Sequence, residues 1–203
     1  GFVIHYNYGK LFATMRFRWA AAQFLGARVA RLYPLLLACV AVGLIVDHTL
    51  QWVHPHPVWL LKLVGGFLTM TQSWFYVIIF DDNRLLMNNA FGLGWSISTE
   101  FFFYLAYLGL IFLFLQLRTR RATAIAWVVF AAAAFSFFLE CKIHVAGIGA
   151  LAQQYVPNYV SSEQNQASSF IRWLFYYSRY SRICELILGC LTAQLYLQTS
   201  DRP

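Results

Sequence analysis

The chain has 203 residues, of which 60% are hydrophobic, 19% aromatic and only 11% charged. A soluble globular domain carries about 25% charged residues, so this composition excludes an ordinary soluble protein and indicates a membrane protein. The net charge of +7 requires no nucleic-acid partner, because Lys and Arg fall in short loops and at segment ends, where an anionic cytoplasmic leaflet attracts them.

Several apolar runs approach the roughly 20 residues needed to cross a bilayer, and they predict about five membrane spans. The predicted spans cover about residues 32–50, 58–76, 95–117, 122–139 and 183–197. Residues 11–30 alternate Arg with apolar positions, which predicts an interfacial helix before the first span. Pro34 then falls in the first turn of that span, where a missing N–H does no harm. We therefore predict an all-α fold, a polytopic transmembrane helix bundle with an interfacial N-terminal helix, in one partial domain over residues 1–203.

The orientation of the later helices stays open. If the arginines before the first span are cytoplasmic, successive crossings place the basic elbow at residues 118–121 on the outside. That placement conflicts with the positive-inside tendency, so either one segment is re-entrant or the elbow is an exception. The longest link, about residues 140–182, is of the kind that often covers a functional site.

The most informative stretch is residues 94–104, GWSISTEFFFY. Ser96, Glu100 and Tyr104 are four apart, so a helix places them on one face. An ionised carboxylate in hydrocarbon costs at least about 2.5–3.5 kcal/mol, which makes Glu100 a candidate general base, proton relay or orienter of a catalytic group. The alternative is a structural polar node with a partner such as Arg182, and residue chemistry alone does not choose between them.

Two further pairs of residues stand at helical spacing. Arg28 and Arg31 are three apart at the mouth of the first predicted span, where paired guanidiniums suit phosphates. Their alternative role is to anchor the topology. Arg182 and Glu185 are spaced for an ion pair that forms a polar node, and Gly189 permits close helix approach.

No metal site is expected. The four cysteines lack paired ligand spacing, and His54 with His56, which flank prolines, make a poor site. His5 lies near a segment end and is expected to hydrogen-bond at the membrane interface.

Five motifs follow one another along the chain: residues 1–4 (GFVI), 24–35 (FLGARVARLYPL), 67–74 (FLTMTQSW), 95–104 (WSISTEFFFY) and 182–189 (RICELILG). In order and rough spacing they resemble the acyltransferase-3 family of polytopic bacterial membrane O-acyltransferases, with Leu186 where that family usually has Phe. Family members also carry a histidine in an earlier membrane helix, and His5 lies downstream of the matching position. The resemblance therefore implies a fragment that lacks this first helix and the C-terminal helices and is inactive alone.

The resemblance implies a multi-pass enzyme of the bacterial inner membrane. It would transfer an acyl group such as acetyl from acyl-CoA, its co-substrate, to a hydroxyl of a cell-surface carbohydrate. The missing histidine would be the main acid–base group and Glu100 would orient it, while Ser96 and Tyr104 would hold Glu100 or the acceptor. Arg28 and Arg31 would bind the CoA phosphates. The competing interpretations are a secondary transporter, with Glu100 as a proton or substrate site, and a non-catalytic membrane scaffold or sensor.

Overall fold

The computed structural model describes residues 1–50, 65–71, 73–74, 76, 94–156 and 169–200, and the regular structure within them is helical, with no strand. A short helical turn, Phe170–Arg172, continues into a π-helical turn, Trp173–Tyr177. The longer helices are α1 (Phe2–Thr14), α2 (Phe17–Leu50), α3 (Gly94–Gln116), α4 (Arg120–Ile143), α5 (Val145–Tyr155) and α6 (Arg179–Ser200). The predicted all-α helix bundle is confirmed.

Three of the described helices are long and apolar enough to cross a membrane. Their candidate spans are Phe17–Val42, Trp95–Gln116 and Arg120–Ile143. In the last of these only 6% of the apolar window is buried. So continuous an apolar surface is unfavourable in water and favourable against lipid. The helices therefore indicate a bilayer environment.

The first predicted span begins earlier than the sequence suggested. The chain turns at Met15 and Arg16, and α2 then runs without interruption through the region predicted to be a separate interfacial helix. Pro34 consequently lies inside α2 and not in its first turn. Because proline has no N–H, the carbonyl of Ala30 loses its usual helical partner there.

The second and fifth predicted spans do not correspond to candidate membrane spans of the described residues. Residues 58–64 lie outside the described residues; 65–68 are helical, and the chain has left the helix by residue 71. The fifth span lies within α6, which is helical throughout but is not one of the three candidate spans.

The chain divides into two compact units. The first comprises Gly1–Arg28, Phe103–His144 and Arg182–Pro203, and the second comprises Val29–Phe102 and Val145–Ser181. The first unit has an aromatic core in which the ring centroid of Phe24 lies 5.7 Å from that of Tyr104 and 5.4 Å from that of Tyr107. The second has a core of Tyr76, Trp173 and Tyr177.

In the first unit α1 and α6 pack with their backbones in contact. A methyl group added to Gly189 would lie 2.7 Å from the backbone nitrogen of Phe2 and 2.9 Å from the Cα of Gly1. Only glycine permits such an approach, so the expected role of Gly189 in close helix packing is confirmed.

Candidate functional site

The second unit contains a break in an apolar segment. After the helical residues 65–68, Met70 adopts a φ of 54°, in the left-handed region that residues other than glycine rarely enter. A chain that leaves the helix frees backbone groups from their helical partners, and in a membrane each freed group needs another partner.

The hydroxyl of Ser98, on α3, supplies those partners. Its Oγ donates to the carbonyl of Met70 at 2.8 Å, and it accepts from the Ser73 hydroxyl at 2.9 Å and from the Ser73 backbone N–H at 3.3 Å. Ser73 and Ser98 are both buried. We call these two serines and the Met70 carbonyl the serine junction. It fastens the non-helical residues that follow residue 68, which we call the broken segment, to the helix that carries Glu100.

Side chains from beyond residue 169 donate further hydrogen bonds to this segment. The Trp173 indole N–H donates to the carbonyl of Ser73 at 3.3 Å, and the Arg179 guanidinium donates to the carbonyl of Trp74 at 3.4 Å. The Trp74 indole in turn donates to the carbonyl of Ser98 at 3.5 Å. Protein groups thus supply partners to this irregular backbone, as an apolar environment requires.

Arg179 is held by aromatic rings. Its guanidinium carbon lies 4.5 Å from the ring centroid of Trp74, 4.9 Å from that of Phe102 and 4.4 Å from that of Tyr180. It also donates to the Tyr180 hydroxyl at 2.6 Å. The stacking fixes this cation beside the broken segment.

The π-helical turn packs against the start of α3. Its 2.7 Å hydrogen bond from the Ser178 N–H to the Trp173 carbonyl spans five residues, a geometry that is frequent at functional sites. The hydroxyl of Thr99, buried on α3, lies 3.4 Å from the Tyr177 carbonyl and 3.0 Å from the carbonyl of Trp95. Ser98 and Thr99 thus hold the two irregular segments of this unit.

The predicted catalytic residues occupy different environments. Glu100 is half-buried and directly follows Thr99, whereas Ser96 is exposed. Tyr104 is fully buried and belongs to the first unit. Sequence reasoning chose Ser96 because of its spacing from Glu100 and missed Ser98. Residues 96–99 (SIST) place hydroxyls on more than one face of the helix, so Ser98 could have been considered. Which of these faces is buried is decided by tertiary contacts that the sequence does not show.

Arg28 is the most unusual cation of the first unit. It is 8% exposed, and its guanidinium carbon lies 4.8 Å from the ring centroid of Tyr8, 5.3 Å from that of Tyr104 and 5.8 Å from that of Phe24. Its Nε has no hydrogen-bond partner within the described part of the chain. Arg28 also forms no ion pair with these residues. The cation is enclosed by rings without a countercharge among these residues.

The position of Arg28 corrects a prediction. It follows the first residue of α2 by eleven residues, about 16 Å at 1.5 Å per residue, so it lies well inside the candidate span and not at its mouth. Arg31, three residues later, is exposed. The two arginines therefore do not share one environment, and only Arg28 is buried.

His5 is buried in the first unit and hydrogen-bonds there. Its Nε2 lies 2.7 Å from Gln194 Oε1 and its Nδ1 3.0 Å from the Tyr107 hydroxyl. Because Gln194 Nε2 donates to the Leu117 carbonyl, Oε1 faces the ring, Nε2 carries the hydrogen, and a neutral ring accepts the Tyr107 hydrogen at Nδ1. Both ring nitrogens are engaged, which suits a structural node.

The predicted pair of Arg182 and Glu185 is present, with Nη1 and Oε2 3.4 Å apart. The Glu185 side chain is 65% exposed, so the pair lies at a surface, where ion pairs contribute little to stability.

Among the described residues there is no group of three or more His, Cys, Asp or Glu side chains that could hold a metal ion. His54 and His56 lie outside those residues. Comparison with protein-family models, with curated proteins and with solved structures found no match for this chain.

Proposed function

We propose that this chain is part of a membrane O-acyltransferase that moves an acyl group, such as acetyl, from acyl-CoA to a hydroxyl of a cell-surface carbohydrate. The observation that carries the proposal is the setting of Glu100. This carboxylate lies in an apolar candidate span, directly after the two hydroxyl residues that hold a broken segment and a π-helical turn. Ionisable residues and irregular backbone inside membrane proteins are features of functional sites.

The reaction gives each residue a defined task. The acceptor oxygen forms a bond to the acyl carbon, the C–S bond breaks, and the acceptor proton passes through a base to the CoA thiolate. In the family that this chain resembles, the base is a histidine of an earlier membrane helix. His5 is not assigned as that base, because it lies downstream of the matching position and its ring nitrogens contact Tyr107 and Gln194. Glu100 orients the base or shares its proton, and Ser96, which belongs to the same unit as Glu100, holds Glu100 or the acceptor.

Arg28 is the better of the two candidates for binding an anionic group of acyl-CoA. Three cation–π contacts contribute about 0.5–2 kcal/mol each. Removing a guanidinium from water costs several kcal/mol, so the rings alone leave the burial of Arg28 near balance. A phosphate would add a charge-assisted hydrogen bond at Nε, which has no partner among the described residues. Arg31 is exposed and keeps the anchoring alternative.

The test uses the full-length protein in membranes, supplied with acyl-CoA and a carbohydrate acceptor. We expect Glu100→Gln to lower acceptor acylation and release of the CoA thiol by about 100-fold or more, the usual contribution of acid–base catalysis. Glu140→Gln is the matched control, because the Glu140 side chain is 69% exposed. Unchanged turnover in correctly inserted Glu100→Gln protein would refute the catalytic role.

A second candidate is a secondary transporter with Glu100 as its proton or substrate site, since carboxylates inside membrane spans serve as proton relays. The same variant separates the two. In proteoliposomes a transporter shows proton-coupled uptake that Glu100→Gln abolishes, without any release of CoA thiol.

A further inference from the structure

The exposed arginines that the structure describes in the first unit gather at one end, whereas the exposed Lys142 lies near the other end of α4. The ring centroid of Phe17, in the first turn of α2, lies 5.0 Å from that of Phe112, near the end of α3. The arginines that flank Phe17 therefore lie at the same end as those that follow α3. We call this set the basic end: Arg16, Arg18, Arg118, Arg120 and Arg121, all exposed.

This arrangement removes the conflict that the sequence left open. Counting spans placed the arginines before the first span and the basic elbow on opposite sides of the membrane. In the first unit they are together, because α3 runs toward the basic end and α4 runs away from it. Clustered Lys and Arg mark the cytoplasmic side of a membrane protein, so the basic end is cytoplasmic.

The basic end contains a formed recess. Arg16, Arg18, Trp19 and Ala22 line an open cavity of about 350 Å³. At about 30 Å³ for each water-sized group, this volume accommodates about a dozen such groups, enough for a phosphodiester with its glycerol. Two guanidiniums offer the forked donors that phosphate oxygens accept.

Trp19 identifies the lipid interface as the setting of this recess. Its side chain is 69% exposed, and exposed indoles at the ends of membrane helices sit at the level of the headgroups. The apolar stretch of α2 begins two residues earlier, at Phe17. A ligand in the recess therefore has acyl chains on one side and water on the other, as a phospholipid headgroup does.

We propose that the basic end binds the anionic phospholipids of the cytoplasmic leaflet, with one phosphodiester headgroup held by Arg16 and Arg18 against Trp19. The proposal is independent of the acyltransferase assignment. It adds a lipid-binding site and fixes the orientation of the first unit in the membrane.

The lipid test uses the full chain in nanodiscs of phosphatidylcholine with added phosphatidylglycerol, and native mass spectrometry measures the phosphatidylglycerol that remains bound. Loss of two cations near the surface weakens binding by about 30-fold, about 2 kcal/mol, so Arg16→Ala/Arg18→Ala should lose the bound lipid. Lys142→Ala is the control, because Lys142 is exposed near the opposite end of α4.

Three outcomes would overturn the site. The double variant could retain phosphatidylglycerol as the wild type does, or Lys142→Ala could lose it equally. Alternatively, soluble acyl-CoA could displace the bound phosphatidylglycerol from the wild type, which would identify a nucleotide site.

The orientation is tested separately with Cys141, near the far end of α4, as a reporter. In spheroplasts, with the other cysteines replaced by alanine, a membrane-impermeant maleimide should label Cys141. In a chain without Cys141, Arg120→Cys should be labelled only after permeabilisation. The reverse pattern would refute a cytoplasmic basic end.

Discussion

Ser98→Ala tests whether the serine junction holds the broken segment. The substitution removes three hydrogen bonds, those with the Met70 carbonyl at 2.8 Å, the Ser73 hydroxyl at 2.9 Å and the Ser73 N–H at 3.3 Å. In membrane proteins such bonds average about 0.6 kcal/mol each, so the three together contribute about 2 kcal/mol. That energy corresponds to about a 30-fold change in the equilibrium between closed and locally opened forms.

Hydrogen exchange of the detergent-solubilised protein provides the measurement, because it reports local opening. Peptides that cover Met70 and Ser73 should exchange about 30-fold faster in Ser98→Ala, whereas peptides of α4 keep the wild-type rate. Ser136→Ala is the matched control, since Ser136 is exposed on α4. If Ser98→Ala and Ser136→Ala exchange alike at Met70 and Ser73, the broken segment is held by something other than the serine junction.

Two further substitutions test packing and charge. Gly189→Ala should lower the unfolding free energy by about 1–2 kcal/mol in thermal or denaturant unfolding, because overpacking against the Phe2 backbone exceeds the gain in helix propensity. Gly109→Ala, with nothing within 4 Å of its added methyl, should be neutral or stabilising, and equal losses would refute the argument. Arg28→Met should change unfolding by less than about 1 kcal/mol, because it removes a desolvated charge together with its ring contacts. The same variant should weaken acyl-CoA binding at least about tenfold, as loss of a charge-assisted hydrogen bond does, whereas Arg31→Met should bind as the wild type does; the opposite pattern would make Arg28 structural.

The long apolar helices were predictable because the bilayer sets their length. The span predicted over about residues 95–117 corresponds to Gly94–Gln116, and the one over about 122–139 lies within Arg120–Ile143. Thr119 explains the start of the latter, since its side chain accepts a hydrogen bond from the Ala122 N–H. The start of α2 was not predictable in the same way, because arginines such as Arg16 and Arg18 occur both in interfacial helices and at the ends of membrane spans.

The candidate site was only half predictable. A carboxylate in an apolar run is conspicuous, so Glu100 could be found from sequence alone. The position of the break after residue 68 could not, because the nearest glycines, Gly65 and Gly66, are themselves helical and residues 67–74 contain no proline or glycine. It is stabilised by Ser98, Trp173 and Arg179, which are distant in sequence, and local periodicity carries no information about such partners.

Buried polar groups that have protein partners support the structure, whereas a buried charge without a countercharge is available to a ligand. The serine junction satisfies its own donors and acceptors, so it accounts for its burial without any ligand and acts by fixing the geometry near Glu100. Arg28 does not satisfy its own charge among the described residues, and three aromatic rings leave its burial close to energetic balance. A buried network that is complete specifies a structure, whereas a buried cation without a countercharge can gain charge-assisted hydrogen bonds from an anion. Of the features predicted from sequence, Arg28 therefore gives the strongest physical argument for an anionic ligand, and Glu100 the strongest for proton chemistry.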